Sequence, residues 1–367
     1  MRRILLSLWW EAGYDRQIMR GVIDAVRLRP GWRVQVIGIQ QHPAHSVRAD
    51  PPDAVLGRFI GSQLAEALAE RSIPAVATSN TGVDLPRVGV NEAAIGQLAA
   101  NELSALGFEH FAVVPFGQGG PSAQRQQAFT EAIAARRLPC AAGPLTEDEA
   151  EGAAWLAAQP APLAVFATND MAGARVLRWA EDAGRHVPDE LAVLGVDDDD
   201  LICETAATPL SSIAIPGRRI GEIAVEMLEQ LFTDGAADPP LRLLEPTGVV
   251  HRRSTETQVA TDPDVAAALS FIRDHAREPI TVGDVLDAVM ISRRKLEGEF
   301  KRVLGHSPAA EIRRVRVERA KRLLSASDLS LPAVAEASGL GSRVQLNRVF
   351  RKATGHTPAA YRRMYRA

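Results

Sequence analysis

The stretch Ser342-Arg343-Val344-Gln345-Leu346-Asn347-Arg348-Val349-Phe350-Arg351-Lys352 decides how the last third of the chain folds, because it occurs twice. Fifty residues earlier stands Ser292-Arg293-Arg294-Lys295-Leu296-Glu297-Gly298-Glu299-Phe300-Lys301-Arg302. Serine, leucine, phenylalanine and a basic pair keep register between the copies. Each copy then runs on through Gly-His (Gly305-His306 and Gly355-His356) to Pro-Ala-Ala (Pro308-Ala309-Ala310 and Pro358-Ala359-Ala360). Two copies of one unit imply two similar structures side by side. A serine hydroxyl can accept an orphan N–H from the first turn of a helix, so Ser292 and Ser342 are expected to cap helices. Leu296/Phe300 and Leu346/Phe350, four apart, define the buried face of each. Shorter helices are expected ahead of them at Val282–Val289 and Leu331–Ala337. Between the copies, Pro308–Ser325 reads as one longer helix of roughly 27 Å, close to the ~34 Å between successive major grooves on one face of DNA.

The faces opposite those apolar pairs are polar. Copy one presents Arg293, Arg294 and Glu297; copy two presents Arg343, Gln345, Asn347 and Arg348. Arginine, asparagine and glutamine are the side chains that bond bidentately to guanine or adenine edges in the major groove. Lys301, Arg302, Arg351 and Lys352 stand at the far ends, where phosphate contact is expected. Charge distribution agrees. The whole chain carries −3, but from Asp262 onward 20 basic residues face 12 acidic ones, leaving the body acidic. A basic appendage on an acidic body fits binding of a polyanion.

Up to about residue 250 the pattern is strand then helix, repeated. Apolar runs at Ile4–Trp10, Trp32–Ile39, Ala54–Phe59, Ala75–Thr78, Phe111–Phe116, Leu163–Thr168 and Leu191–Val196 alternate with helical periodicity, such as Gln17–Leu28 and Ala123–Ala135. This alternation predicts parallel sheets covered by helices. The polar stretch His251–Asp264 lacks an apolar period and is expected to be a linker. The expected divisions are therefore 1–250, 251–264 and 265–367. Cys140 and Cys203 have no metal or redox spacing and are expected to be core thiols in a reducing compartment. Met1-Arg2-Arg3-Ile4 is expected to open the first strand rather than a secretory signal, and no apolar run is long enough to span a membrane. A cytoplasmic protein without metal or cofactor is expected.

At strand ends, where α/β sheets bind ligands, stand Tyr14 and Asp15, Asn169-Asp170 and Asp197, with Arg125 expected in the first turn of a helix. Carboxylate, amide and guanidinium groups suit a polyol, whose hydroxyls both donate and accept. Asp170 is expected to be a helix cap, and Tyr14 either packs or binds. Of the run Asp197–Asp200, only Asp197 is singled out, the rest being expected in a solvated loop. One of Trp9 and Trp10 is expected to fill the core.

Two resemblances follow from these residues. Ala335-Glu336-Ala337-Ser338-Gly339-Leu340, Phe350-Arg351-Lys352, Gly355-His356-Thr357-Pro358 and Tyr361-Arg362 closely resemble the AraC-type DNA-binding domain over about Pro263–Tyr365. That resemblance implies two recognition helices in adjacent major grooves, with Arg293, Arg294, Arg343, Gln345, Asn347 and Arg348 at contact positions. Met290 departs from it, standing where the first turn usually has glycine, and Leu340 and Leu346 replace aromatics. Ala167-Thr168-Asn169-Asp170-Met171-Ala172, Leu191–Asp198 and Pro209-Leu210-Ser211-Ser212-Ile213 resemble the LacI and periplasmic sugar-binding fold over about Arg3–His251. Carried over by position, Arg125, Asn169 and Asp197 match its ligand contacts. The implied fold class is α/β, two Rossmann-like lobes of periplasmic binding protein-like type I, followed by an all-α domain with two helix-turn-helix units. Ile4 already starts the first strand, so no helix-turn-helix is expected ahead of the sensor.

A LacI-like sensor joined to an AraC-type reader, with Tyr14-Asp15-Arg16-Gln17 near the start, resembles the D-xylose-responsive activators. The pentose rests on that resemblance alone. The expected partners are double-stranded DNA, a sugar, a second copy of the chain and, for an activator, RNA polymerase, with no membrane. An enzyme is disfavoured by the lack of a P-loop, GxSxG, HExxH or paired cysteines. A transport binding protein, or a regulator whose sensor takes an amino acid or a protein, are the competing readings.

Overall fold

A computed structural model describes all residues except 60–61, 80–83, 235–240, 257–262, 305 and 366–367. Gly305 of the repeat and part of the expected linker thus lie outside the described residues. The chain starts with β1 (Arg2–Leu8), α1 (Gly13–Arg27), β2 (Trp32–Gly38), α2 (Pro43–Ala49), β3 (Ala54–Gly57), α3 (Ser62–Ala69), β4 (Ala75–Ala77) and β5 (Arg87–Val90). It then crosses into α4 (Glu92–Ser104), β6 (Phe111–Val114), α5 (Gly120–Ala135), β7 (Cys140–Ala142), α6 (Glu149–Ala157) and β8 (Leu163–Ala167). The same lobe continues with α7 (Asp170–Asp182), β9 (Leu191–Asp197), α8 (Asp200–Cys203) and β10 (Ser211–Ala214). After α9 (Gly217–Asp234), β11 (Leu241–Leu244) joins the first sheet and β12 (Gly248–Val250) the second.

Two six-stranded sheets result, ordered β11-β5-β4-β3-β1-β2 and β12-β10-β9-β8-β6-β7. All described strand pairings are parallel except β10 with β12. The chain changes lobe at 90–92, 214–217 and 244–248. Sequence periodicity located seven of these strands. The five it missed, β5, β7, β10, β11 and β12, are three or four residues long; β3, β4 and β6 are as short, but lie in longer apolar runs. The first strand stops at Leu8, two residues before its expected end. Trp9 and Trp10 lie in the turn that follows, and neither fills the core: Trp9 is half-buried and Trp10 is 40% exposed. Cys203 is buried and Cys140 half-buried, both as free thiols. The start of the polar stretch 251–264 is not a solvated connector. Ser254 and Thr255 are buried, and Ser254 Oγ donates to the Val193 carbonyl of β9 at 2.6 Å.

The C-terminal domain comprises α10 (Pro263–Asp274), α11 (Val282–Val289), α12 (Arg293–Leu304), α13 (Pro308–Ala326), α14 (Leu331–Ala337), α15 (Arg343–Thr354) and α16 (Pro358–Tyr365). It has two cores that share α13. Ile312 and Val315 pack with α10–α12, while Val317, Ala320 and Leu324 pack with α14–α16. The expected caps form: Ser292 Oγ accepts from Lys295 N at 3.3 Å and Ser342 Oγ from Gln345 N at 3.2 Å. The two units also lock together. Gly339 (φ 78°) lies so near the Ala276 carbonyl that a Cβ would come within 2.0 Å of its oxygen. Arg316 donates to the carbonyls of Ala276, Glu278 and Ile280.

Met290 ends α11 at φ 54°, in the left-handed region. Copy two has Gly339 at the matching turn, whereas Met290 exposes its side chain almost wholly, at 91%. It therefore gains little packing to offset roughly 1–2 kcal/mol of backbone strain. Met290→Gly is expected to raise stability by about 1 kcal/mol, read as a higher urea midpoint at unchanged slope.

Candidate functional site: an interlobe charge cluster and a basic helical face

The C-terminal ends of strands from both lobes converge on one buried group of charges. From the second lobe, Arg125 on α5 donates to Glu92 Oε2 at 2.5 Å and to the Thr168 carbonyl at 2.7 Å. Its guanidinium also stands 3.6 Å from Asp197 Oδ1. From the first lobe, Arg58 Nε donates to Asp15 at 2.8–2.9 Å, and Asp15 accepts from Trp9 N at 2.7 Å. Gly119 and Gly120 take positive φ ahead of Pro121, and start α5 three residues earlier than expected. Arg125 consequently lies in the second turn, not the first.

Burial lifts the Asp197 carboxyl to about 7; Arg125 and Arg58 pull it down, while Glu92 and Asp15 push it up. These groups from two lobes therefore share one field. Burial works against the charge on Arg125, but Glu92 and Asp197 more than offset it and raise its pKa. Asp15 is likewise raised by burial, with Arg58 opposing. Tyr14 is buried, and its hydroxyl donates to the Thr78 carbonyl at 2.7 Å. It lines a cavity of about 390 Å³ that is also bordered by Glu92, Asn91 and Gln124. A second cavity of about 530 Å³ is bordered by Arg58, Ser7, Gln41 and Gln63. The hydroxyls of Ser7 and Thr78 are buried and have no hydrogen-bond partner among the described residues.

The structure thus brings Tyr14, Asp15, Arg125 and Asp197 together and alters several expected roles. Asp15 has no exposed side-chain surface and both its oxygens are engaged, whereas its partner Arg58 keeps part of its side chain exposed and borders the second cavity. Asn169, in extended backbone, caps α7 by accepting from Ala172 N at 2.8 Å. Asp170, expected to be that cap, is instead buried at the first helical position; its carboxylate accepts from Ser212 Oγ and Asp199 N. Nor is the aspartate run a solvated loop. Asp197 and Asp199 are buried, and Asp197 (φ 110°) and Asp198 (φ 50°) hold left-handed backbone. Asp199 pairs with Arg16 at 2.6 Å across the lobes, packed so closely on Gly13 that a Cβ there would lie 2.6 Å from it. Trp9 and Phe116, one from each lobe, stack with centroids 5.8 Å apart.

On the C-terminal domain, Leu296, Phe300, Leu346 and Phe350 are fully buried. Arg293, Arg294, Glu297, Lys301, Arg343, Gln345, Arg348 and Arg351 are all exposed, and Asn347 is half-buried. The exposed basic residues among them form no described ion pair, whereas the neighbouring Lys295 and Arg302 pair with Asp264 and Glu299.

Among the described residues, two polar contacts between the two parts were not signalled by the sequence. Arg314 of α13 pairs with Glu102 of α4 at 3.1 Å, and His251 Nε2 lies 3.6 Å from the same carboxylate. Burial works against the Arg314 charge, but Glu102 and Glu311 outweigh it and raise its pKa. Tyr361 of α16 donates to the Thr247 carbonyl at 2.7 Å, and Thr247 sits in the crossover between β11 and β12. Among the described residues no helix is long and apolar enough to cross a membrane.

Comparison with known proteins covers both parts. Residues 100–255 match the periplasmic binding protein-like domain family, and residues 285–364 match a helix-turn-helix domain family. The chain is 29% identical to the xylose operon regulatory protein of Escherichia coli (strain K12), over 98% of this chain and 96% of that one. It is 26% identical to the protein of the same name from Haemophilus influenzae, over 95% of each. A solved structure of the xylose-binding transcription activator xylR superposes with a TM-score of 0.62 at 27% identity, covering 100% of this chain and 99% of that one.

Proposed function

We propose that this chain, a DNA-binding transcription regulator with a LacI-like sensor and an AraC-type reader, takes a pentose of the D-xylose type as its effector. It is a regulator, not an enzyme. The observation that supports a polyol effector is the convergence of two ion-paired groups, Arg58 with Asp15 from one lobe and Arg125 with Glu92 and Asp197 from the other, in one electrostatic field; the choice of a pentose rests on the likeness to the xylose operon regulatory proteins. Asp197 and Arg125 contact sugar hydroxyls from the second lobe, and Arg58, steered by Asp15, contacts them from the first. Tyr14 shapes the cleft and Asn169 orients the start of α7. Trp9 and Phe116 offer the flat apolar faces that a sugar ring's C–H groups require. Residues 1–255 are the sensor, the stretch through Thr255 packing on its second sheet, and 265–367 are the reader.

Arg293, Arg294, Arg343, Gln345, Asn347 and Arg348 read base edges of double-stranded DNA, and Lys301 and Arg351 hold phosphates. The chain works in the cytoplasm as a homodimer and activates pentose-catabolic genes through RNA polymerase. Calorimetric titration of the full chain with D-xylose, L-arabinose, D-ribose, D-glucose and a set of amino acids tests the effector. A pentose should bind most tightly. Tightest binding by an amino acid, or by no sugar, would overturn the reading.

Sugar must also reach the reader. An effector can shift DNA affinity only by binding one lobe arrangement better than another. Helix α4 begins at Glu92, in the cluster, and carries Glu102 to Arg314 of the reader. The crossover at Thr247 moves with the lobes and holds Tyr361. Glu102→Gln combined with Tyr361→Phe is expected to leave sugar affinity unchanged while reducing sugar's effect on DNA affinity, a coupling of typically 1–3 kcal/mol. The readout is the shift in DNA dissociation constant with and without D-xylose. An unchanged shift would mean that the signal travels elsewhere.

A further inference from the structure

Helix α15 advances about 100° per residue, and Leu346 and Phe350 fix its buried side. Arg348 lies diametrically opposite, with Val344 and Lys352 each about 40° to either side. Val344 is 80% exposed and belongs to neither core of the reader. A β-branched residue is a poorer helix former than the residues around it, so nothing local favours valine here. The corresponding position of the first unit, fifty residues earlier, is Arg294. A lone exposed valine is ordinary on a protein surface. This one lies about 40° from the centre of the outward face, one turn before Arg348, which forms no ion pair among the described residues.

We propose that Val344 is a specificity-determining contact of the second recognition helix and packs against the 5-methyl group of a thymine. The proposal rests on the reading of α15 as a major-groove helix. In that groove every base edge presents hydrogen-bonding atoms, and thymine alone adds a methyl group. An aliphatic side chain placed against guanine, adenine or cytosine edges would desolvate donors and acceptors without replacing their partners. Against thymine it removes two apolar surfaces from water. Arg343 and Arg348 hold the helix in the groove, and Val344 selects the base that its γ-methyl groups meet.

The test uses the full chain and the tightest duplex recovered from a randomised DNA pool. Each thymine is replaced in turn by deoxyuridine, which removes the methyl and leaves every hydrogen bond. At one thymine per copy of α15 bound, this should weaken wild-type binding about three- to fivefold, as expected for burial of one methyl. Val344→Ala should weaken binding to the parent duplex by a similar factor and be indifferent to deoxyuridine at that position. Val344→Ile should retain the thymine preference. Alanine is the better helix former at an exposed site, so a loss of affinity cannot be attributed to unfolding. Wild-type affinity of Val344→Ala for the parent duplex overturns the proposal. So does a loss that is independent of every thymine methyl, which would assign Val344 to a protein partner or a second copy. Arg343→Ala and Arg348→Ala separate the two levels of inference. If they lose affinity while Val344→Ala does not, α15 remains the reader and only the thymine contact falls. If none of the three matters, the reading of α15 falls with it.

Discussion

Replacing Arg125 with methionine is expected to lower the unfolding free energy by roughly 3–5 kcal/mol and to abolish sugar binding. The guanidinium is nearly buried, at 7% exposure, and stands against two carboxylates while also donating to the Thr168 carbonyl. Methionine fills much of the volume but leaves Glu92 and Asp197 without their shared counter-charge. A buried charge whose partner is removed costs far more than an exposed one. Asp197, already lifted to about 7 by burial, can escape part of this cost by keeping its proton, so the sign of the pH effect is fixed. The folded variant will hold a proton that the unfolded chain releases above about pH 4. Its deficit will therefore be small in acid and will grow as pH rises. Urea melts at pH 5.5 and 8 measure this directly. Adding Glu92→Gln to the methionine variant should recover a large part of the stability at pH 8, because one of the two stranded charges disappears. A loss of less than about 0.5 kcal/mol, typical of a surface site, would show that Arg125 does not neutralise the cluster.

The reader was legible from sequence because its signals are local. A capping serine and a leucine–phenylalanine pair each act within a few residues, and the repeat at fifty residues doubled both. The left-handed Met290 was foreseen only through the family resemblance, which puts glycine at that turn. The cleft was only partly legible. Arg58 was absorbed into an expected strand that ends one residue before it, at Gly57, so its place at a strand end went unseen. Glu92 looks like any first-turn acid favourable to a helix dipole. The burial of Asp199 depends on Gly13, 186 residues away, which a four-aspartate run does not reveal. Exchanging the roles of Asn169 and Asp170 is a one-residue error in a helix boundary, and the side chain that caps is the one whose backbone is still extended. The contacts of Glu102 with Arg314 and of Thr247 with Tyr361 join residues more than a hundred apart in different domains, and no periodicity carries that information.

Asp197→Asn should separate stability from function. In the native chain burial lifts this carboxyl to about 7, against about 3.9 when unfolded. A raised carboxylate means that between about pH 4 and 7 the native state keeps a proton that the unfolded state has released. Stability attributable to Asp197 is therefore greatest in acid, falls as pH rises through that window and levels off above about 7. This is the reverse of a carboxylate stabilised by a salt bridge. Asparagine cannot ionise and accepts positive φ more readily than most residues, so it suits the φ of 110° found here. The variant should lose the decline between pH 4 and 7 and be more stable than the native chain at pH 8. Sugar binding should move the opposite way. An ionised carboxylate accepts strongly from hydroxyls, and such charge-assisted hydrogen bonds contribute roughly 1.5–3 kcal/mol, so the amide should bind sugar about tenfold or more weakly. In the native chain the sugar must compete with the proton. Its affinity should thus fall below about pH 7, by up to about tenfold per pH unit, while that of the variant stays flat. Calorimetry from pH 5.5 to 8.5 on both proteins reads all of this. If Asp197→Asn kept both the affinity and its pH dependence, Asp197 would be a strained structural turn and the sugar would be held by the arginines alone.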